Sequence, residues 1–358
     1  MSGGVDSSVT AALLKERNYE VIGITMQLWE YTKDAGGCCG VGAIEDARRV
    51  ANILGIPHYV ENFGNVFRKK VIIDFCKEYS LGRTPNPCIR CNQYLKFDAL
   101  LTKAKEIGAD FIATGHYARI RYDNSKKRYI IKKGIDVKKD QSYVLYTMTQ
   151  EQLAHTLMPL GEFTKRESRA KAKELGLPVA DKPDSQEICF ISDNSYADFL
   201  QGCMPHMINP GPILSKAGKV LGQHKGIMFY TIGQRKGLGI SSKAPLYVIA
   251  INQRKNAIIV GRREEAYQDE AYADALNYIA IEKLTTPLRT MVKIRYLHPE
   301  SDAIVAPLNG NMIRIKFKEP QFAVTPGQSV VLYEDDAVIG GGTITGIIAD
   351  HEQSERRL

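Results

Sequence analysis

The residues in this sequence whose spacing could do chemistry are, first, two cysteines, Cys88 and Cys91, in the run Asn86-Pro87-Cys88-Ile89-Arg90-Cys91-Asn92. A C-x-x-C pair serves as half of a metal site, as a redox couple, or as a nucleophile with a neighbour to help it. A structural zinc ion asks for four ligands, usually as two close pairs, and the sequence has no second C-x-x-C and no H-x-x-x-H. Arg83 and Arg90 stand close to Cys91 in sequence, and positive charge near a thiol lowers its pKa from about 8.5 and raises the thiolate fraction. The seven cysteines are an odd number spread thinly over 358 residues, which argues against a secreted disulfide framework and for thiol chemistry or metal binding. The start is polar and Gly-rich rather than a signal peptide, and no apolar run approaches the roughly 18 residues of a membrane span. A cytoplasmic protein with no membrane partner is expected.

The second candidate is Ser2-Gly3-Gly4-Val5-Asp6-Ser7-Ser8, running into a helical stretch from Val9 to Asn18. Two glycines let backbone approach a ligand closely, and the N–H groups of such a loop and of the helix start form a nest for phosphate. The cradle has no lysine of its own. A Walker loop would read G-x-x-x-x-G-K-S/T, which is absent, so the γ-phosphoryl chemistry of kinases is not indicated.

Elements must hold these groups in place. Up to Ile191 the chain alternates β-branched runs with amphipathic helical stretches: Val21–Met26 reads as a buried parallel strand, Ile44–Ile56 as a helix, Pro57–Phe63 as a strand, then Phe97–Ala109 as a helix and Asp110–His116 as a strand. That order predicts an α/β domain with a doubly wound parallel sheet. After Gly202 the texture changes to Pro and Gly punctuation with alternating strands at Ala244–Asn252, Asn256–Gly261, Thr290–Leu297, Met312–Phe317 and Gln328–Tyr333, as in small antiparallel barrel-like β domains. The expected domains are residues 1–202, 203–268 and 269–358. The net charge is +8, with excess cations at Arg119, Arg121, Lys126, Lys127, Arg128, Lys132, Lys133, Lys138 and Lys139 and again from Lys165 to Lys173. Such clusters are a solvated face or the footprint of a polyanion.

The opening motif resembles the PP-loop of the ATP pyrophosphatases, which split ATP to AMP and pyrophosphate and pass the adenylyl group to a substrate oxygen. In that superfamily a strand leads into the loop; here the sequence begins at the loop, so the first strand is expected to be missing. Gly82–Phe97 resembles the catalytic loop of the tRNA-specific 2-thiouridylases within the superfamily. Ala113–Arg119, Lys139–Tyr146, Asp184–Ile191, Gly226–Ile240 and Thr325–Tyr333 match the same family in order, so that the resemblance runs from residue 2 to about residue 345.

The resemblance implies ATP-dependent thiolation of the wobble uridine (U34) of tRNA to 2-thiouridine. The uridine C2 carbonyl is a poor electrophile and oxide a poor leaving group, so the oxygen is first made a phosphate ester by adenylation. Sulfur then arrives on a cysteine persulfide. On this resemblance Cys91 is the nucleophilic cysteine and Cys189 the one that takes up the persulfide, delivered by a cysteine desulfurase or a sulfur-carrier protein. ATP would meet Ser2, Gly3, Gly4, Val5, Asp6, Ser7, Ser8, Met26 and Gly115, with Asp6 holding Mg²⁺ or the pyrophosphate geometry. The tRNA would meet Asn86, Pro87, Cys88, His116, Lys139, Asp140, Gln141, Arg295, Tyr296 and Gln328, types that position phosphates, hydrogen-bond or stack. A single-stranded anticodon loop makes extrusion of the base cheap.

Cys88 departs from the best-known members, which carry aspartate there. With Cys91 and Cys189 it makes a set of three thiols that could ligate an iron–sulfur cluster in place of the persulfide route; the metal is otherwise unknown. Cys38 and Cys39 are read as packing or a loop near the nucleotide, and Cys76 and Cys203 as structural. Two other classes stay open. One is a PP-loop adenylating enzyme with a nitrogen nucleophile, which needs no paired cysteines. The other is a non-catalytic tRNA-binding or redox protein, which has no use for the PP-loop.

Overall fold

The computed structural model describes residues 1–28, 41–184, 188–191, 196–309 and 311–346. The chain divides into two units, the first formed by Met1–Ile72, Pro87–Ser195 and Asp336–Val338, the second by Ile73–Asn86, Tyr196–Asp335 and Ile339–Leu358. No helix of the described residues is long and apolar enough to cross a membrane.

The first unit is the α/β part. Helix α1 (Val5–Glu16) starts inside the Ser/Gly motif, four residues before the helical stretch expected from Val9. Strands β1 (Gly23–Gln27) and β2 (His58–Asn62), joined through α2 (Val41–Leu54), pair in parallel from Gly23↔His58 to Gln27↔Asn62. Helix α3 (Gly64–Phe67) continues through a π-helical turn, Arg68–Ile72, into α4 (Ile73–Ser80), which counts with the second unit. Helix α5 (Pro87–Cys91) opens on proline, whose missing N–H costs nothing at a first helical position. It runs through a π-helical stretch, Asn92–Ala99, into α6 (Leu100–Glu106). Beyond it β3 (Ile112–Ala113) is a two-residue strand, shorter than the Asp110–His116 expected, because the chain turns away at Thr114 to reach the first turn of α1.

Next come the antiparallel hairpin of β4 (Ala118–Asp123) and β5 (Arg128–Lys133), helix α7 (Gln150–Ala154), and β6 (Thr156–Leu157), which pairs in parallel with β3. The expected parallel α/β core is present, its described pairings being β1–β2 and β3–β6. Helix α8 (Lys165–Glu174) is fixed at its start by a capping box: Thr164 Oγ1 accepts from the Glu167 N–H, and Glu167 Oε2 accepts from the Thr164 N–H at 2.7 Å. Val5, Val9, Ala12 and Leu13 of α1, Val50 and Leu54 of α2 and Ala172 of α8 share one core with Tyr117 and Leu160.

In the second unit α4 meets α9 (Tyr196–Cys203) through edge-on aromatic contacts, Tyr79 with Tyr196 at 4.8 Å and Phe75 with Phe199 at 6.2 Å between centroids. A four-stranded sheet follows, β8 (Val220–His224), β7 (Gly211–Ser215), β10 (Ala257–Gly261) and β9 (Tyr247–Asn252) in that spatial order. It differs from the antiparallel expectation in one pairing: β10 runs parallel to β7, which the long connection between them permits.

Strands β11 (Tyr267–Tyr278), β12 (Leu288–Lys293), β13 (Ser301–Leu308), β14 (Met312–Phe322), β15 (Ser329–Glu334) and β16 (Ala337–Gly346) close into a barrel in the order β11-β14-β13-β12-β15-β16, with β16 returning to β11. Alternation sets the wall: Ile313, Ile315 and Phe317 point inward, while Arg314 and Lys316 between them face out.

Candidate active site

The Ser/Gly loop is shaped as a cradle. Gly4 precedes α1 in an extended conformation and supplies no side-chain cap to the helix, an arrangement that suits first-turn N–H groups to an anion. Ser7 Oγ accepts from the Ser2 N–H at 3.1 Å, and Ser8 Oγ donates to the Gly4 carbonyl at 2.9 Å, folding the loop onto the helix start. Gly3 has φ +66°, and a Cβ there would overlap the Ala43 carbonyl. Gly115 is needed for a different reason. A Cβ on it would lie 2.8 Å from the Asp6 carbonyl carbon and 2.9 Å from the Ser7 nitrogen, so the 112–118 segment presses backbone against the cradle.

Five side chains that sequence reasoning did not assign, Tyr117, Lys165, Arg169, Lys182 and Asp184, form a network on Asp6 and the loop. Tyr117 Oη donates to Asp6 Oδ1 at 2.8 Å and stands 3.0 Å from Ser168 Oγ. Burial, with the Asp6 charge adding to it, pushes the Tyr117 hydroxyl pKa well up, so it stays a neutral donor. Lys165 Nζ donates to Asp6 Oδ1 at 2.7 Å and Oδ2 at 2.8 Å, and it also meets Asp184 Oδ1 at 2.8 Å. Arg169, one turn along α8, reaches the same Asp184 oxygen at 2.8 Å, and Lys139 takes Asp184 Oδ2 at 2.7 Å. Burial works against the Asp184 carboxylate, but the hydrogen bonds and charges of Lys139 and Lys165 outweigh it and bring its pKa down to about 2. Lys182 Nζ holds the Gly3 carbonyl at 2.9 Å and Asp46 Oδ2 at 2.7 Å. The one local signal for Lys165 was its place just after the capping residue Thr164, with Arg169 at helical spacing.

The same 112–118 segment also reaches the helical stretch that follows Cys91. His116 is buried, with Nδ1 2.8 Å from Thr114 Oγ1 and its ring 5.7 Å from that of Phe97. Phe97 belongs to the π-helical stretch that directly follows Cys91. Burial and then the Lys96 charge hold the His116 pKa well below its ordinary value, so the ring is neutral. Asn92, also buried, donates to the Val144 carbonyl at 3.0 Å and ties the cysteine helix to the turn after Gln141. Cys88 is exposed, Cys91 and Cys189 are half-buried, and Pro87 is buried. The Phe190 ring, next to Cys189, packs edge-on against Phe67 at 5.6 Å, and the π-helical turn continuing from Phe67 packs on α5. Both cysteine segments therefore border residues 64–72.

Arg83 lies 3.4 Å from Glu78, and Arg90 donates to Gln93 at 3.2 Å. Among the described residues no group of three or more His, Cys, Asp or Glu side chains is arranged to hold a metal ion. Cys88, Cys91 and Cys189 are described, so the three-thiolate iron–sulfur expectation finds no ligand set here. Cys38 and Cys39 lie outside the described residues.

The expected tRNA residues divide by environment. Asp140 is buried and accepts from the Gly134 and Ser142 N–H groups at 3.1 Å each and from Ser142 Oγ at 2.8 Å, which makes it a loop organiser. Gln141 Oε1 accepts from the Tyr117 N–H at 3.0 Å. Gln328 donates to the Thr84 carbonyl at 2.6 Å, and Arg295 to the Phe322 carbonyl at 2.8 Å. Asn86 and Tyr296 are half-buried, and Met26 is half-buried on β1 opposite Glu61. Part of the basic cluster is neutralised locally: Asp336 pairs with Arg119 at 2.9 Å and Lys132 at 3.2 Å, and Glu162 pairs with Arg121.

Comparison with known proteins gives this arrangement a family. Residues 1–193 match the model described as tRNA methyl transferase HUP domain, residues 197–262 the tRNA methyl transferase PRC-barrel domain, and residues 268–344 the aminomethyltransferase beta-barrel domain. The tRNA-specific 2-thiouridylase MnmA of Acetivibrio thermocellus is 55% identical over 349 residues, 96% of this chain and 97% of that protein. That of Moorella thermoacetica is 54% identical over 351 residues, 97% of this chain and 98% of that protein. Among solved structures, the U34-tRNA thiolase NcsA of Methanococcus maripaludis aligns at TM-score 0.33 and 22% identity, over 58% of this chain and 65% of that one. The chain belongs to the tRNA-specific 2-thiouridylase family.

Proposed function

We propose that the protein is a tRNA-uridine 2-sulfurtransferase that uses ATP to convert the wobble uridine to 2-thiouridine, with Cys91 and Cys189 as its sulfur-handling pair. The observation that carries this reading is the 112–118 segment, which presses Gly115 on the phosphate cradle and sets the His116 ring 5.7 Å from that of Phe97, in the helix that continues from Cys91.

In this reading the cradle and first turn of α1 take the ATP phosphates, and Lys165 supplies the cation that the loop lacks. Asp6 is the carboxylate suited to Mg²⁺, which would neutralise phosphate charge when bound. The uridine C2 oxygen attacks the α-phosphorus, pyrophosphate leaves, and C2 becomes electrophilic. The terminal sulfur of a Cys189 persulfide adds to C2 and AMP departs with the former carbonyl oxygen. Cys91 thiolate then attacks the Cys189 sulfur, the S–S bond to the nucleoside breaks, and its electron pair completes the thiocarbonyl. A Cys91–Cys189 disulfide remains, which a thiol reductant returns to two thiols. The persulfide donor is a cysteine desulfurase or a sulfur carrier. Methyl transfer, the wording of two matched domain descriptions, would need neither the phosphate cradle nor two cysteines.

The test uses Cys189→Ser with unmodified tRNA, ATP, Mg²⁺ and a persulfide donor. Pyrophosphate should still be released, since adenylation comes first, while mass spectrometry finds no oxygen replaced by sulfur. Thiouridine formed at the wild-type rate would end the assignment of Cys189. A wild-type protein that releases no pyrophosphate with tRNA would end the reading as a whole.

A further inference from the structure

The charges around Asp6 form one connected series that ends at solvent. Lys165 Nζ, with a side chain 11% exposed, bridges Asp6 and Asp184. The Asp184 carboxylate is in turn shared by three cations: Lys165 and Arg169 on Oδ1, and Lys139 on Oδ2. Lys139 comes from the loop after β5, at the end of the run that includes Lys132, Lys133 and Lys138, and its side chain is 38% exposed. It is thus the member of the series that an external polyanion can reach, whereas Lys165 is the member that holds the nucleotide loop.

Building on the reading of the chain as an ATP-dependent tRNA enzyme, we propose that Asp184 is a positioning residue that couples occupancy of the RNA surface to the state of the nucleotide cradle. An RNA phosphate competes with Asp184 for Lys139. Once Lys139 turns to the phosphate, Asp184 is left to Lys165 and Arg169, and its attraction for Lys165 is no longer divided with a third cation. Asp6 then loses part of its share of that ammonium and becomes available to the cation that accompanies the nucleotide. The sign follows: bound RNA tightens nucleotide binding, and by linkage bound nucleotide tightens RNA binding by the same factor. The device also deters cleavage of ATP without RNA, because in the free protein Asp6 stays neutralised by Lys165.

Calorimetry tests this on the full chain with Mg²⁺ and α,β-methylene-ATP, which cannot be cleaved at the reacting bond, with and without saturating unmodified tRNA transcript. The wild-type Kd for the analogue should fall about 5-fold or more when tRNA is present, the lower end of ordinary allosteric coupling. In Lys139→Met and in Asp184→Asn the ratio should approach one while analogue binding alone persists, and Asp184→Glu should restore part of it. A role confined to holding the fold would shift melting temperature without abolishing that ratio. Should Asp184→Asn fail to fold, the half-exposed Lys139→Met carries the test. A ratio of one in the wild type, or an undiminished ratio in Lys139→Met, overturns the coupling and leaves the functional reading standing. A wild type that binds neither the analogue nor tRNA overturns both.

Discussion

Lys165 donates to both carboxylate oxygens of Asp6, at 2.7 and 2.8 Å, across 159 residues of sequence. The Ser/Gly loop, which has no lysine within it, thereby has one brought to its first helical turn from the first turn of α8. Replacing Lys165 by Met should lower kcat/KM for tRNA-dependent pyrophosphate release by about 10²–10³, the usual loss when one charged donor to a reacting centre is removed. Lys165→Arg should keep more of the activity, and tRNA affinity measured by filter binding should change little in either. Wild-type pyrophosphate release by Lys165→Met would remove the lysine from the chemistry.

Gly115 has no room for a methyl group, because the space is taken by the backbone of Asp6 and Ser7. Gly115→Ala should therefore push the cradle rather than a flexible side chain. Overpacking of this kind costs about 1–3 kcal/mol. The expected result is a lower melting temperature together with weaker ATP binding by calorimetry. An unchanged ATP affinity would show that the cradle tolerates the shift.

His116 is held neutral by burial, its pKa well below the ordinary 6.5. In the unfolded chain the ring takes up a proton as pH falls through about 6.5, and in the fold it does not, so the unfolded state binds more protons and stability declines with acidification. The loss from this group is at most about 1.4 kcal/mol per pH unit. Urea unfolding of wild type and His116→Gln at pH 7 and pH 5 isolates it, since the other histidines are common to both. The variant should show the shallower decline. Parallel pH profiles would mean that the ring is protonated in the native state.

The described thiols differ in access. Cys88 and Cys203 are exposed, while Cys76 is 2% exposed and its pKa is driven up by burial and by a hydrogen bond with Cys203. Iodoacetamide followed by peptide mass mapping should find Cys88 and Cys203 modified first and Cys76 last of these three, reacting only as the α4–α9 contact opens. Early labelling of Cys76 would show that the helix pair is open in solution.

Much of the frame was legible because it rests on local rules. The opening helix declared itself by glycine and serine placement at its start, and the barrel by strict alternation, as in β14. What the sequence concealed is contact between distant segments. Neither Lys165 nor Asp184 has a spacing that points at Asp6, and Tyr117 reads as one more aromatic just past a strand until its hydroxyl is seen on that carboxylate. Strand lengths failed where tertiary need set the chain's path: Thr114 to His116 continue the run read as a strand, yet they bend to bring Gly115 and His116 to their partners. Thr290–Leu297 ends as a strand at Lys293, and Arg295 instead donates to the Phe322 carbonyl. The basic run from Arg119 also reads differently in three dimensions, where Asp336, Glu162 and Asp184 take up several of its charges. Cys76 and Cys203, read as unrelated structural thiols, are neighbours.

The clasp between Gln328 and the Thr84 carbonyl, reinforced by the Thr84 N–H on the Pro326 carbonyl at 2.9 Å, bears on biosynthesis. The stretch leading into the cysteine helix leaves the ribosome 244 residues before the glutamine that fastens it. A nascent chain therefore cannot close this clasp until Pro326 and Gln328 have been made. Chains cut short before Pro326 would carry Cys88 and Cys91 yet leave Thr84 without either bond of the clasp.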